Sequence, residues 1–365
     1  MLFFLIINIL YALFNLVLIF TWLRMNREKM AEISKKNTKL TVIIPVRNEE
    51  DNIVKLLQDI DNQNYPFVNF EVIIANDGST DNTENLVLAF QEKSKYTLKL
   101  LNIFDDKTAS PKKRAIQKSI EISSGELIIT TDGDCRVSPN WLTSIEQIFM
   151  STNAKLVSSP VSFINEGNFW NSAQIIEFAS LIGSGACAMH LKKPNMCNGA
   201  NIAYTREVFE EVGGFSGNEH LASGDDEFLM HKIAQKYPDK VVFNPDKGAI
   251  VLTNAQPDWQ HFYQQRRRWA SKWKYYKDWK VSALAIFIFV VNLGVIYSLA
   301  TLNYTNLLVK FLFEFIFLSL IIRFLGHRDK IKYVPIIQII YPFYVVFFGL
   351  IAQGKGYTWK GRKLS

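Results

Sequence analysis

Uncharged apolar runs stand at both ends of this 365-residue chain, whereas short apolar and polar stretches alternate through its middle. The first run, Leu2 to Trp22, has about the twenty residues that one bilayer-spanning helix needs. No basic residue precedes it and no small-residue cleavage site follows, which favours an anchor over a cleaved signal peptide. Arg24, Arg27 and Lys29 come directly afterwards, so the next segment is expected on the cytoplasmic side. We predict a transmembrane anchor over residues 1–23.

A second apolar block, residues 281–353, predicts a C-terminal transmembrane region of two or three helices. The tetrapeptide Asn303 to Asn306 is a turn signal between its first two limbs. On the return limb, Lys310 and Glu314 are four residues apart, so they share one helix face and can pair.

The last apolar run, Val334 to Gln353, leaves two alternatives open. Three full crossings would put the basic tail, residues 354–365, outside, against the orientation rule for basic residues. Pro335 and Pro342 favour a re-entrant or interfacial segment, which would keep the tail inside.

The middle of the chain predicts a cytoplasmic α/β domain over residues 35–256. Strands are predicted at 40–46, 70–77, 98–103 and 126–131, and helices at 49–60, 79–90 and 112–123. This alternation predicts a mostly parallel sheet with helices on both faces.

Residues 257–280 interleave basic and aromatic side chains just before the second apolar block. Nucleic-acid binding is one interpretation of that composition. An amphipathic segment at the membrane surface is favoured, because Trp and Tyr prefer the headgroup layer and basic residues prefer anionic lipid. The formal net charge of +7 is too small to demand nucleic acid. Membrane lipids are therefore the expected partners, and nucleic acid is not.

The chain has three cysteines, Cys135, Cys187 and Cys197, and none of them forms a CxxC pair. This spacing indicates a reducing compartment and no zinc site.

Three predicted strands end in polar segments, Pro45–Glu50, Asn76–Thr80 and Thr131–Asp134. Ligands of open α/β sheets bind beyond the carboxyl ends of the strands, so these segments are expected to converge on one rim. Asp132 and Asp134 there could hold Mg²⁺ or Mn²⁺ together with substrate phosphates, since hard cations prefer oxygen ligands. A surface Asp-Gly turn is the alternative. Neither GxGxxG nor GxxxxGK[ST] occurs, which argues against dinucleotide and P-loop sites.

Five motifs, in order, resemble those of inverting family-2 glycosyltransferases: "VIIPVRNEE", "NDGSTDNT", "TTDGD", "SGDDEFL" and "QRRRW". The resemblance spans Leu40 to Trp269. It is strongest to the membrane-embedded branch of hyaluronan, cellulose and chitin synthases and ceramide glucosyltransferase. It implies a nucleotide-diphospho-sugar transferase domain of the GT-A type, with transmembrane helices at both ends of the chain.

The resemblance also implies a role for individual positions. The positions that match nucleotide-sugar-binding residues are Pro45, Val46, Arg47, Glu49, Asp77, Lys112, Asp132, Gln265 and Arg268. Asp132 and Asp134 match the metal-binding pair, Trp269 matches an acceptor-side residue, and Asn198 is a second acceptor candidate.

Asp226 matches the general base, which would take the proton of the acceptor hydroxyl. The alternative for "SGDDEFL" is a helix N-terminus with acidic residues in its first turn, and both can hold if Ser223 is the cap.

The resulting hypothesis is a multi-pass integral membrane enzyme of the bacterial inner membrane. It would move a sugar from a nucleotide-sugar, a UDP-sugar by preference, to a lipid or lipid-linked acceptor. A processive polysaccharide synthase is the first alternative, and a non-catalytic nucleotide-sugar-binding scaffold is the second. The sugar, the acceptor and the oligomeric state stay open at the level of sequence.

Overall fold

The computed structural model describes residues 2–27, 38–104, 110–219, 221, 223–270 and 279–351, and the backbone of 357–359 and 362–364. Its chain contacts divide the protein into two compact units. The sheet unit comprises residues 28–164 and 188–254, and the helical unit comprises 1–27, 165–187 and 255–365. Each unit is described by itself.

The helices are α1 (Leu2–Met25), α2 (Ile53–Asp61), α3 (Thr83–Gln91), α4 (Pro111–Glu121), α5 (Trp141–Thr152), α6 (Phe169–His190), α7 (Arg206–Glu211), α8 (Glu227–Lys236), α9 (Trp259–Ala270), α10 (Trp279–Ala300), α11 (Tyr304–Phe324) and α12 (Val334–Ile351). The strands are β1 (Leu40–Val46), β2 (Phe70–Asn76), β3 (Thr97–Asn102), β4 (Leu127–Thr130), β5 (Leu156–Ser158), β6 (Val161–Phe163), β7 (Ile202–Thr205), β8 (Val241–Phe243), β9 (Val251–Thr253), β10 (Tyr357–Trp359) and β11 (Arg362–Leu364).

A seven-stranded sheet in the order β3-β2-β1-β4-β7-β5-β8 forms the core of the sheet unit. The pairs β1–β2, β1–β4, β2–β3 and β5–β8 are parallel, and β7 runs antiparallel to β4 and β5. Strands β6 and β9 form a separate parallel pair. The predicted α/β class with a mostly parallel sheet is confirmed, and the antiparallel β7 is a feature that the strand-helix alternation did not reveal.

The carboxyl ends of β1, β2 and β4 lie at one edge of the sheet, as predicted. Val46 is in register with Asn76, and the Asp77 amide donates to the Val46 carbonyl at 2.9 Å. The Thr131 amide donates to the carbonyl of Ile43 at 3.2 Å. The strands are buried almost throughout, so the first polar side chains that reach the edge are those that follow each strand.

Two predicted helices begin four residues late, at Ile53 and Thr83. The residues before them bond to each other across the two loops instead. The Glu49 amide donates to Thr83 Oγ1 at 2.8 Å, and the Asn82 amide donates to Glu50 Oε2 at 2.9 Å. Polar side chains that satisfy backbone amides in this way compete with helix formation. The first residues of each predicted helix therefore stay in loops at the rim.

Within the described residues, three segments of the helical unit are long and apolar enough to cross a membrane: α1, α10 and Arg328–Ile351, the last being a 3₁₀ turn followed by α12. Helix α12 continues without interruption through Pro342. The predicted turn at Asn303 is present, because its side chain accepts from the Asn306 amide and starts α11.

The predicted pairing of Lys310 with Glu314 is confirmed. Lys310 Nζ lies 2.9 Å and 2.8 Å from the two carboxylate oxygens of Glu314. Tyr11 of α1 and Gln338 of α12 also donate to that carboxylate, at 2.7 Å and 2.8 Å. The ion pair therefore joins three helices, and α1 is a packed member of the helical unit as well as an apolar run.

One domain boundary differs from the prediction. Residues 165–187 are predicted to belong to the 35–256 domain. In the structure, the contacts of these residues group them with the helical unit. Gly183 of α6 explains the difference, because a Cβ built there would lie 2.6 Å from Ile321 Cγ1 of α11. Only glycine allows α6 and α11 to come so close at this point. The sequence does not indicate this packing, because polar residues interrupt the apolar residues of α6.

The amphipathic segment 257–280 is described in part. Its first half forms α9, whose Phe262 ring lies 6.0 Å from Tyr344 and 6.2 Å from Phe348 of α12. Residues 271–278 and 352–356 lie outside the described residues, so the membrane-surface prediction for the aromatic stretch stays a prediction, as does the side of the membrane on which the basic tail lies.

Candidate active site

Two arginines surround Asp77 where β1 and β2 end. Arg47 Nη1 donates to the backbone oxygens of Asp77 at 2.7 Å and Gly78 at 3.0 Å. Arg114 Nη2 lies 2.5 Å from Asp77 Oδ1, and both side chains are largely buried. The structure thus brings Arg47 and Asp77 together, as the sequence predicted, and adds Arg114. The signal for Arg114 was its place in the "KKR" of α4, two residues after Lys112.

The loop with Asp132 and Asp134 is pressed against the end of β1. A Cβ built on Gly133 would lie 2.9 Å from Glu49 Cγ and 3.0 Å from Val46 Cγ1. A side chain at position 133 would therefore push the loop away from β1. Close packing through Gly133 brings the two aspartates next to the predicted nucleotide-binding segment.

The two aspartates have different partners. Asp132 Oδ1 accepts from Lys112 Nζ at 2.7 Å, and the Asp132 side chain is 38% exposed. Asp134 Oδ2 accepts from Thr253 Oγ1 of β9 at 3.0 Å. Thr253 is not predicted from the sequence, because nothing in its local pattern shows that the pair of strands β6 and β9 returns to this rim.

Lys112 links the Asp132 loop to the start of α8. Its Nζ lies 3.5 Å from Asp225 Oδ2, in addition to the Asp132 contact. Burial alone would lower the pKa of Lys112, but the neighbouring carboxylates of Asp132, Asp225 and Asp226 raise it above its ordinary value. The lysine is therefore a permanent cation at the centre of three acids.

Asp226 lies beside this cluster, against the chain at Gly199. The Gly199 amide donates to Asp226 Oδ2 at 2.8 Å, and a Cβ on Gly199 would lie 3.3 Å from Lys112 Nζ and 3.0 Å from Asp225 Oδ2. Thr130, the last residue of β4, holds the same loop through its hydroxyl, which donates to the Gly199 carbonyl at 2.8 Å. Asp226 and Asp132 therefore stand on the same rim, on either side of Lys112.

Asp226 caps α8, and Ser223 does not. The amide of Glu227 donates to Asp226 Oδ1 at 2.7 Å, which corrects the expectation that Ser223 would be the cap. The reason is that α8 begins at Glu227, four residues after Ser223. One carboxylate oxygen of Asp226 thus takes a helix amide and the other takes Gly199, which fixes the orientation of the carboxylate.

Asn198 precedes Gly199 in the same loop, and its Oδ1 accepts from the Ala200 amide at 3.0 Å. This bond accounts for its side chain as a turn residue, while its position stays adjacent to Asp226.

The donor set at Asp132 and Asp134 fits a divalent cation that is completed by a ligand. Mg²⁺ is commonly bound by one or two carboxylates plus substrate phosphates and water. Among the described residues, no group of three or more His, Cys, Asp or Glu side chains is arranged to hold an ion by itself. The protein would therefore supply two carboxylates, and the phosphates of the donor would supply the rest.

The remaining predicted positions belong to the helical unit. Gln265, Arg268 and Trp269 all lie on α9. Gln265 Oε1 accepts from Arg266, and the Trp269 ring lies 5.9 Å from Phe178 of α6. The nucleotide and metal positions of the sheet unit come together on one rim, and the three positions on α9 form a second group.

The α/β fold of the sheet unit is of the GT-A type. The sequence matches the family model Glycosyl transferase family 2 over residues 41–213.

Two curated relatives are similar to the chain. The glycosyltransferase AglE of Haloferax volcanii is 30% identical over 187 residues, which cover 51% of this chain and 58% of AglE. The beta-monoglucosyldiacylglycerol synthase of a Nostoc species is 26% identical over 245 residues, which cover 67% of this chain and 51% of the synthase. The chain thus spans about half the length of the curated relatives it matches.

The fold is also similar to that of the mannosyltransferase PcManGT from Pyrobaculum calidifontis, solved in complex with GDP-Man and Mn²⁺. The TM-score is 0.58 and the identity 17%, over 93% of this chain and 99% of that one. At this identity the similarity shows the fold alone.

Proposed function

We propose that the protein is a membrane-bound inverting glycosyltransferase that moves a single sugar from a nucleotide-sugar donor to a lipid or lipid-linked acceptor. The donor is a UDP-sugar by preference. Asp226 is the general base, and the rim at Asp77, Lys112 and Asp132 receives the donor.

The observation that carries the proposal is the Lys112 cluster, in which one partly buried cation contacts Asp132 at 2.7 Å and Asp225 at 3.5 Å, next to Asp226. A lysine whose pKa is shifted by neighbouring acids at the carboxyl ends of parallel strands is typical of an active site. A structural ion pair would not need three acids around one lysine at an open edge.

The chemistry requires two opposite charges at the reacting sugar. Asp226 would take the proton of the attacking acceptor hydroxyl, which makes the oxygen a better nucleophile at the anomeric carbon. The bond to the nucleoside diphosphate breaks on the opposite face, which inverts the anomeric configuration. Lys112 would then offset the negative charge that develops on the leaving diphosphate, and the family resemblance implies the same role for Arg268.

Asp132 and Asp134 are the residues that would hold Mg²⁺ or Mn²⁺, and a bound ion would supply further positive charge to the diphosphate. Lys112 would exchange its bond to Asp132 for one to a phosphate oxygen when the donor binds. A metal is also present in the PcManGT complex, which supports testing Mn²⁺ first.

A lipid acceptor is supported by two features. The chain has three segments suited to a membrane among its described residues, and one relative of similar sequence is named as a synthase of beta-monoglucosyldiacylglycerol. The same features support a membrane location, and Arg24, Arg27 and Lys29 after the first apolar run favour the cytoplasmic side for the segment that follows.

The test is a transfer assay with membranes that contain the full chain, a panel of labelled UDP- and GDP-sugars, and Mn²⁺ or EDTA. We expect one donor to yield a labelled lipid that carries a single sugar, and EDTA to abolish its formation. A labelled polymer would replace this proposal by the processive synthase. Donor binding without any transfer would replace it by the scaffold.

A further inference from the structure

Arg266, the second residue of "QRRRW", is the buried centre of this motif, although the family pattern leaves that position open. Its side chain is 2% exposed and forms a two-point ion pair with Glu177 of α6. Arg266 Nε donates to Glu177 Oε1 at 3.1 Å, and Nη2 donates to Oε2 at 2.5 Å. Tyr344 of α12 also donates to Glu177 Oε1, at 2.9 Å.

The guanidinium of Arg266 touches two other members of the motif. Its Cζ lies 4.3 Å from the centre of the Trp269 ring and 4.3 Å from that of Phe262, so the cation is sandwiched between two aromatic faces. Its Nη1 donates to Gln265 Oε1. The bond turns the amide oxygen of Gln265 towards Arg266 and leaves the NH₂ end to act as a donor to an anion.

Trp269 is fixed from two sides. The Arg266 guanidinium lies over the Trp269 ring. The ring of Phe178, the residue after Glu177 on α6, lies 5.9 Å from the Trp269 ring. Consecutive residues of α6 thus set the position of Arg266 and of Trp269. Lysine could not replace Arg266, because an ammonium has neither the planar fork for Glu177 nor a face to stack between two rings.

We propose that Glu177 and Arg266 are positioning residues for transfer: Glu177 holds the Arg266 guanidinium, and that guanidinium sets the orientation of Gln265 and Trp269. The inference rests on the proposed function, because Gln265 and Trp269 have roles only in a sugar transfer. It adds a carboxylate from α6, far from the motif in sequence, to the residues on which that transfer depends.

The chain offers matched controls for this proposal. The pair Lys310–Glu314 is a second buried ion pair of the helical unit, and Tyr11 donates to Glu314 at 2.7 Å as Tyr344 donates to Glu177. Glu314→Gln and Tyr11→Phe therefore remove the same groups as Glu177→Gln and Tyr344→Phe, without contact to the motif.

The experiment measures kcat and KM for the acceptor, donor binding in Mn²⁺ and the midpoint of thermal unfolding for full-length protein in detergent or nanodiscs. We expect Glu177→Gln and Arg266→Lys to lower kcat by about a hundredfold, since small misplacements of binding groups cost that much. Arg266→Lys keeps a cation opposite Glu177, so its unfolding midpoint should fall less than that of Glu177→Gln, which leaves the Arg266 cation without its counter-charge. Tyr344→Phe should lower kcat by a few fold, and Tyr11→Phe should leave it unchanged.

Two results would overturn the inference alone. One is a wild-type protein that transfers sugar while Glu177→Gln and Glu314→Gln lose activity equally and in proportion to their unfolding midpoints. The other is Arg266→Lys with full kcat. A wild-type protein that neither binds nor transfers any donor of the panel would instead remove the proposed function, and this inference with it.

Discussion

The charged residues of the two units are arranged in opposite ways. At the rim of the sheet unit, the side chains of Lys112 and Asp132 are 20% and 38% exposed. In the helical unit, Arg266 and Glu177 are 2% and 7% exposed, and the acids of both buried pairs accept from three or more donors. In a partly exposed ion pair, one residue can exchange its partner for a ligand at low cost. In a buried pair whose acid already accepts from several donors, such an exchange is costly.

The difference separates a binding surface from a set of helix contacts. Removing one partner of a buried pair strands the other charge in a medium where it cannot be solvated, which is strongly destabilising. A pair near water is worth little to stability. Charges at the rim should therefore matter for turnover, and charges between the helices should matter for folding or for the precise placement of a neighbouring motif.

Asp226→Asn is expected to have the largest effect on turnover. Without the carboxylate, the acceptor hydroxyl keeps its proton, so transfer should fall by about 10²- to 10⁴-fold. Donor binding should be retained, and the unfolding midpoint should fall only slightly, because the Asn side chain can accept from one of the two backbone amides but not from both. The measurement is transfer in membranes beside donor binding, with Glu207→Gln, an exposed acid of the sheet unit, as control. Full activity in Asp226→Asn would remove it as the base.

Glu314→Gln is expected to affect stability and not turnover. It leaves Lys310 buried without its counter-charge, which should lower the free energy of unfolding by about 3–5 kcal/mol. The double variant Lys310→Met/Glu314→Gln removes both charges and should recover most of that loss. Thermal unfolding in detergent measures both. A double variant as unstable as the single one would contradict the account of this pair as a helix contact.

Glu71 is a buried acid of the sheet unit that accepts hydrogen bonds from several donors, as Glu314 does in the helical unit. Its variant tests whether such an acid also matters for stability in the sheet unit. Burial would raise its pKa, but hydrogen bonds from Lys99, Ser124 and Thr41 lower it below its ordinary value. A lowered pKa means that the stabilisation is present above the unfolded-state pKa of about 4.3 and is lost as pH falls through the folded-state pKa. Glu71→Gln should cost about 1.5–3 kcal/mol at neutral pH. Unfolding curves of variant and wild type should converge in acid, and a constant difference at every pH would contradict this cause.

Thr253→Val should have the smallest effect, and this effect should be limited to the affinity for the metal ion. It removes the hydroxyl that donates to Asp134 Oδ2 at 3.0 Å. Hydrogen bonds that orient metal-binding carboxylates are worth about tenfold or more in metal affinity. The Mn²⁺ concentration for half-maximal donor binding should rise by about that factor, with turnover at saturating Mn²⁺ unchanged. An unchanged Mn²⁺ requirement would argue against Asp134 as a ligand.

Local sequence was sufficient for the first four strands and for the rim. The positions β1 at 40–46 and β2 at 70–76 follow from runs of buried β-branched residues, and the polar segments after them met where the rule for parallel sheets predicts. The helix starts were less predictable. Their first residues bond across two loops, and such partners are about thirty residues away in sequence.

The partners of the site residues were outside the reach of local patterns. Arg114 faces Asp77 and Thr253 faces Asp134, but neither pairing has a spacing that a sequence motif expresses. Glu177 is the clearest case. It is a single acid in a long helix, and its pairing with Arg266 spans 89 positions.

The sequence by itself determined the α/β class, the apolar ends, the acids of the rim and the resemblance to family-2 glycosyltransferases, because each depends on residue types that recur at short spacing. Only the tertiary structure decided which cation stands between Asp132 and Asp225, that Asp226 is the cap of α8, and that α6 joins the helical unit. The physical reason is that burial and pairing depend on which distant segments share a small space, and chain order does not encode that directly.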